Sequence, residues 1–310
     1  MPNRNILLIV GAFAVIYIVW GSTYLVNFFA IETIPPFLMS GSRFVTAGVV
    51  MYGIGWLMGA KHPTRVQWRN AALSGILLLS IGTGGVVWAE QYVDTGIAAL
   101  IVAADPFIVV LLVWLMRKQR PVWNSIFGIC LSILGVGLLI GQDLLSTGHS
   151  TSIGIIVIFI SILSWAFATV FIGQADLPKS SVQVAATQML AGGTFLLIMS
   201  FAGGEFLDFD PNNISQKSIF SWIYLIIFGS ILAFSAFNYL LVRVSPEKVA
   251  TSAYVNPVIA ILLGWWLNNE ALTSQTLTAA TLILTGVFFI NSRFKKLLPK
   301  RRKELLTPSK

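Results

Sequence analysis

Charge is scarce in this chain. Asp, Glu, Lys and Arg make up 10% of its 310 residues, against roughly 25% in an ordinary soluble domain. A soluble fold cannot cover its surface with so few charges, so a soluble globular protein is excluded. Cysteine is scarcer still. Cys130 stands alone, which excludes a disulfide scaffold. There are two histidines, His62 and His149, both between apolar runs. No His-Glu-x-x-His and no pair of neighbouring acids lies inside a run, so an intramembrane enzyme lacks the residues it would need. No Walker motif and no room for a soluble nucleotide-binding domain exist, which excludes an ATP-driven pump.

What fills the chain instead is apolar. Hydrophobic residues are 56% and mean hydropathy is +0.82. A transmembrane helix needs about 20 mostly apolar residues. Ten such runs are present: 6–27, 37–58, 68–91, 95–116, 122–141, 153–173, 181–201, 219–242, 249–267 and 273–292. A β-barrel fits worse, because its strands are about 10 residues of alternating polarity and these runs are apolar on every side. The first run is long and lacks an Ala-x-Ala site, so it reads as a retained span. The predicted fold class is an all-α membrane protein with ten transmembrane helices.

Lys and Arg set the orientation. With the N-terminus cytoplasmic, eighteen of the 20 fall on the cytoplasmic side, Lys217 falls outside, and Arg43 lies within a span. Both termini are therefore expected in the cytoplasm. The net charge of +8 does not mark a nucleic-acid face, because residues 293–310 alone hold eight Lys or Arg and one Glu. That tail reads as an anchor against anionic headgroups.

The chain repeats itself. Offset by 145, Trp20 meets Trp165. Offset by 151, Ala99 meets Ala250, Pro106 meets Pro257, Trp114 meets Trp265 and Gly135-Val136 meets Gly286-Val287. The units are residues 1–145 and 146–292, followed by the tail 293–310. Each unit holds five spans. Five is odd, so the second unit enters the membrane inverted. Inverted repeats are typical of secondary transporters, whose sites lie near the midplane between the halves.

Several ordered segments resemble the EamA family of the drug/metabolite transporter superfamily, in its YedA-like exporter branch. They are Trp20-Gly21-Ser22-Thr23-Tyr24, Ile34-Pro35-Pro36-Phe37, Arg43-Phe44, Trp88-Ala89-Glu90-Gln91, Gly96-Ile97-Ala98-Ala99-Leu100 leading to Pro106, Asn256-Pro257 and Asn269-Glu270-Ala271-Leu272-Thr273. The resemblance implies two inverted five-helix repeats and export of amino acids, other small metabolites or drugs. It also implies a bacterial inner membrane. The chain departs from the family pattern at Asp105, where a small or hydroxyl residue is expected, and at Lys118-Gln119, the counterpart of Asn269-Glu270.

Three ionisable acid or base side chains lie inside the spans: Arg43, Glu90 and Asp105. Such residues are costly in hydrocarbon and usually face a cavity or a partner. Asp105 could bind a substrate ammonium or carry a proton, or instead pair with Arg43 or sit protonated and hydrogen-bonded to a neighbouring helix. Arg43 could bind a carboxylate bidentately, snorkel to the outer interface, or pair with Glu90. Glu90 could be half solvated, a proton site, or an outer gate partner of Arg43. Pro106 and Pro257 are the hinge candidates, since each removes an N–H from a helix.

Aromatic and amide side chains supply the rest of the expected cavity. Trp20, Tyr24 and Asn27 share a face at i, i+4, i+7. Ser80, Gly84, Trp88 and Gln91 share another, as do Trp165 with Thr169 and Phe234 with Asn238. Asn256 adds a polar group before Pro257. The reading is an exporter of small amino-acid-like or drug-like molecules, working by alternating access with a proton as the candidate coupling ion. Facilitative uniport or import is the alternative, and an intramembrane enzyme the alternative from another class. The expected partners are a small-molecule substrate, a proton and the lipid bilayer. No nucleic acid, metal or cofactor is expected, and the assembly is a monomer or weak homodimer.

Overall fold

The computed structural model describes residues 2–118, 121, 123–146, 149–244, 249 and 251–291. The tail 293–310 lies outside them. Ten helices follow the ten apolar runs: α1 (Pro2–Ile31), α2 (Pro36–Leu57), α3 (Arg65–Ala89), α4 in two pieces (Thr95–Val102 and Asp105–Arg117), α5 (Trp123–Ser146), α6 (His149–Ile172), α7 (Ser181–Ala202), α8 (from Gln216 to Arg243), α9 (Ser252–Asn268) and α10 (Ser274–Asn291). Seven of the ten contain a stretch long and apolar enough to cross a membrane, and α5 and α10 add shorter apolar stretches.

The helix starts follow local chemistry. Thr64 and Gln67 form a capping box at α3, with the Gln67 N–H donating to Thr64 Oγ1 at 3.2 Å and the Thr64 N–H donating to Gln67 Oε1 at 3.1 Å. Ser180 and Ser215 cap α7 and α8 from their own side chains. Pro36 opens α2, where a missing N–H costs nothing.

Glycine decides how the helices pair. An ideal Cβ on Gly41 would lie 2.9 Å from the Leu197 nitrogen, and one on Gly48 2.9 Å from the Leu190 nitrogen. Numbers rise along α2 as they fall along α7, so the pair is antiparallel and in backbone contact. The α5/α10 seam is built the same way, with Gly128 against Ile290 and Gly135 against Ile283. These two seams are the most extensive in the bundle.

The remaining packing exchanges the halves. Helix α1 packs on α8 and α9, and its counterpart α6 packs on α3 and α4. Helix α2 packs on α8, and α7 on α3. Lys118 and Asn269, 151 positions apart, both adopt left-handed backbone, with φ 56° and 54°. Each closes a helix there. Among the described residues the fold is thus all-α, a multi-helix membrane fold whose ten helices form two inverted five-helix repeats.

Two details differ from the expectation of regular helices. Residues Ile76–Gly84 of α3 and Leu225–Leu232 of α8 are wound as π-helix, at equivalent places in the two repeats. And α4 is interrupted at Ala103–Ala104 rather than merely kinked at Pro106.

Candidate transport site

Arg43 lies buried at 5% exposure, seven residues or about two turns into α2. Its Nε donates to Ser230 Oγ at 2.9 Å and its Nη1 to Asn27 Oδ1 at 3.0 Å. Ser230 belongs to the π segment of α8, and Asn27 to α1. Its Cζ lies 4.9 Å from the Phe44 ring centroid. Gly229 makes room beside it, since a Cβ there would meet Arg43 Nη2 at 3.0 Å. Among the described residues no carboxylate oxygen lies within 4.0 Å of this guanidinium; the one ion pair at that distance is Lys217–Glu32. Arg43 therefore neither snorkels to the interface nor pairs with Asp105 or Glu90. Neutral oxygens hold it.

Glu90 ends α3 and is 1% exposed, which removes the half-solvated reading. Neither of its carboxyl oxygens has a hydrogen-bond partner. Asp105 opens the second piece of α4, directly after the interruption, and its Oδ1 is likewise buried without a partner. Tyr24 on α1 lies within electrostatic reach of both carboxyls. Glu90 is within reach of Arg43 and of Glu270. Helix α1 carries Tyr24 and packs on α2, α3, α4 and α8, the helices that carry Arg43, Glu90, Asp105 and Ser230.

The predicted face of α1 stays together because α1 is regular. Trp20 Nε1 donates to the Gly229 carbonyl at 3.4 Å, and the ring packs on Phe234 and Phe237 at 6.0 and 5.2 Å. Its counterpart Trp165 lies against Gly82 in the π segment of α3, 3.1 Å from where a Cβ would stand. The predicted face of α3 splits, because the π turn shifts the register of everything after it. Ser80 turns to α7, donating to the Gly192 carbonyl at 2.8 Å. Trp88 packs instead with the α4 and α6 side chains and on Tyr92, 5.0 Å away. Gln91 is exposed and donates to its own helix at Trp88.

Asn256 is half-buried. In the amide orientation that satisfies both contacts, it donates to the carbonyls of Ser252 at 3.2 Å and Tyr17 at 3.3 Å. It therefore ties α9 to α1. The two hinge candidates are not equivalent. The chain breaks before Pro106 but runs on as helix through Pro257. The side chain of Asn238 lies outside the described residues.

Two carboxylates occupy places that no spacing rule marked. Helices α2 and α4 begin without a side-chain cap of their own. Glu205, in the α7/α8 connection, accepts from the Phe37 and Leu38 N–H groups at 3.2 and 2.9 Å. Glu270, after α9, accepts from the Thr95 N–H at 3.1 Å, the Thr95 hydroxyl at 2.7 Å, the Gly96 N–H at 3.1 Å and the Asn268 amide at 3.2 Å. A negative charge at a helix N-terminus is favourable. In both cases a second-half loop pins the start of a first-half helix.

The model of the EamA-like transporter family matches the chain twice, at residues 6–141 and 152–292. The chain belongs to this family. It is 37% identical over 293 residues to the Escherichia coli (strain K12) "Uncharacterized inner membrane transporter YedA", covering 94% of this chain and 92% of that protein. It is 24% identical to the Salmonella typhimurium "Probable amino-acid metabolite efflux pump", covering 88% of this chain and 91% of that one. A solved crystal structure shares the fold, with a TM-score of 0.63 at 18% identity, covering 93% of this chain and 98% of that chain.

Within this EamA-like chain, sequence reasoning missed Ser230 and Gly229, which frame Arg43. Both lie on a π turn, where helical spacing misleads. It named Asn269-Glu270 as a family turn but not as the cap of α4. Only the structure shows that Asp94 precedes α4 without capping it and that Gly264 leaves the space that the Glu270 carboxylate fills.

Proposed function

We propose that this protein exports small, amino-acid-like or drug-like metabolites by alternating access, with residues 1–145 and 146–292 as the two units. The carrying observation is the set of buried charges that do not satisfy one another. Arg43 is held only by neutral oxygens, and three oxygens of Glu90 and Asp105 have no partner. Burying such groups unpaired is costly, and intramembrane ionisable residues mark substrate or proton pathways. In this reading Arg43 receives a substrate anion, Tyr24 and Trp20 line the apolar side, and Asp105 or Glu90 carries the coupling proton. The interruption of α4 at Ala103–Ala104 supports it, because discontinuous helices build midplane sites in transporters. The printed name of the Salmonella relative favours amino-acid metabolites. The Lys/Arg distribution favours cytoplasmic termini in an inner membrane.

The test is flux in proteoliposomes, with substrates first selected by thermal shift against amino acids, nucleosides and cationic drugs. Ligands that bind only the folded state raise its apparent stability. Counter-substrate-stimulated, proton-dependent flux that loses its pH response in Asp105→Asn or Glu90→Gln is the expected result. Flux that is neither saturable nor stimulated by counter-substrate refutes alternating access. An unchanged pH response in both variants removes the two carboxyls as coupling sites.

A further inference from the structure

A cavity of about 230 Å³ lies between α4, α5 and α6, against the α4 interruption. Its walls include Ala104 and Ile108 of α4, Ile133 and Gly137 of α5, and Phe159 and Ile162 of α6. Ser132 is the one polar residue in the lining. The inner wall is deeply buried, with Ala104, Ile108 and Ile162 at 3%, 7% and 2% exposure. The mouth is open, since Ile133 is 50% exposed and its neighbour Leu134 62%. Those residues belong to the apolar outer surface of the bundle, which in a ten-helix membrane protein faces hydrocarbon.

One glycine stands exposed at the rim of this cavity. Gly128 and Gly135 on the same helix are packing glycines, each in backbone contact with α10. Gly137 is different: a Cβ there would meet nothing within 4 Å. It does not serve close helix approach and its backbone is ordinary helix, so its missing side chain leaves the rim clear.

We propose that this cavity is a lipid site, filled by an acyl chain of the surrounding phospholipid that enters past Ile133 and Gly137. Three points fix the occupant. The cavity is continuous with the lipid-facing surface. Its apolar walls offer a polar ligand or ordered water at most the Ser132 hydroxyl, which is buried on the Gly286 side of α5, whereas a stable water needs two to four polar partners. And unfilled space of this size forfeits dispersion contacts on every wall, which hydrocarbon already present at the mouth restores. The chain end lies against Ala104, where α4 loses its own helical packing. This site adjoins the α4 interruption beside Asp105 but opens to the outside of the bundle, and it does not depend on the transport reading.

The test uses the full-length protein in phosphatidylethanolamine–phosphatidylglycerol vesicles containing a phospholipid with a mid-chain diazirine. After irradiation, insertion sites are mapped by mass spectrometry. The wild type is expected to be labelled at Ala104, Ile108 and Ile162 as well as at exposed Leu134 and Leu138. In Gly137→Phe, which fills the space, labelling of the three buried residues is lost and that of the two exposed leucines stays. Ile133→Trp, which plugs the mouth from an exposed position, is the second variant should Gly137→Phe not fold, and the same loss is expected. Labelling confined to exposed residues in the wild type overturns the proposal. So does buried labelling that persists in a folded variant. A third refuting result is labelling of these residues by a diazirine-bearing alkylamine but not by the phospholipid, which would make the occupant a free small molecule.

Discussion

Glu270→Gln is the sharpest test of how the halves are held together. The substitution keeps the shape and removes the charge. It also places an NH2 where one oxygen now accepts. The wild-type carboxylate accepts four hydrogen bonds, from Thr95 N–H, Thr95 Oγ1, Gly96 N–H and Asn268 Nδ2. With the amide nitrogen in the Oε2 position, the Gly96 N–H faces another donor and its bond is lost. The three remaining bonds fall from charge-assisted to neutral strength, from about 1.5–3 to about 0.5–1.5 kcal/mol each. The favourable charge at the α4 N-terminus, worth about 0.3–1 kcal/mol, is lost too. Part of this is returned by water, because Glu270 is only half-buried. A net destabilisation of about 2–4 kcal/mol follows. The assay is unfolding of the purified protein in detergent, read by tryptophan fluorescence, with Glu205→Gln beside it. Glu205 makes two such bonds rather than four, so its variant is expected to lose less. A Glu270→Gln protein within about 0.5 kcal/mol of wild type, the range of an ordinary surface change, would refute the reasoning. So would a larger loss in Glu205→Gln.

Three other outcomes are expected. Asp105→Asn removes an ionisable carboxyl whose Oδ1 is buried without a partner and is expected to leave stability within about 1 kcal/mol while weakening the pH response of flux; a larger fall in stability would show that Asp105 has a structural partner. Ser230→Ala strands the Arg43 Nε–H and is expected to cost about 1.5–3 kcal/mol, with Ser230→Thr restoring the bond; equal melting of all three proteins would remove Ser230 from the site. Gly48→Leu forces a side chain against the α7 backbone and is expected to cost at least about 1–3 kcal/mol. In the same helix a Cβ on Gly53 would meet nothing within 4 Å, so Gly53→Leu is expected to stay within about 0.5 kcal/mol; comparing the two in one melting assay checks the α2/α7 seam.

The sequence by itself determined the ten helices, their apolar character and the repeat. These follow from hydropathy and from a register that holds over whole spans, since an apolar run of span length has few structures open to it in lipid. The 151-residue offset was legible as matched side chains, and it reappears as the left-handed pair Lys118 and Asn269. The identity of Arg43, Glu90 and Asp105 as the membrane's buried charges was also legible, because nothing but their position in a run is needed to see it. Their partners were not. Two π turns, at Ile76–Gly84 and Leu225–Leu232, rotate everything after them, so faces counted at 3.6 residues per turn fail along α3 and cannot anticipate Ser230 on α8. The break before Asp105 was readable only as a kink, because Pro106 marks the place without saying how many bonds are lost. Whether Arg43 meets a carboxylate or the oxygens of Asn27 and Ser230 depends on helices nearly 190 residues apart in sequence, and only their packing, set by glycine seams, decides it.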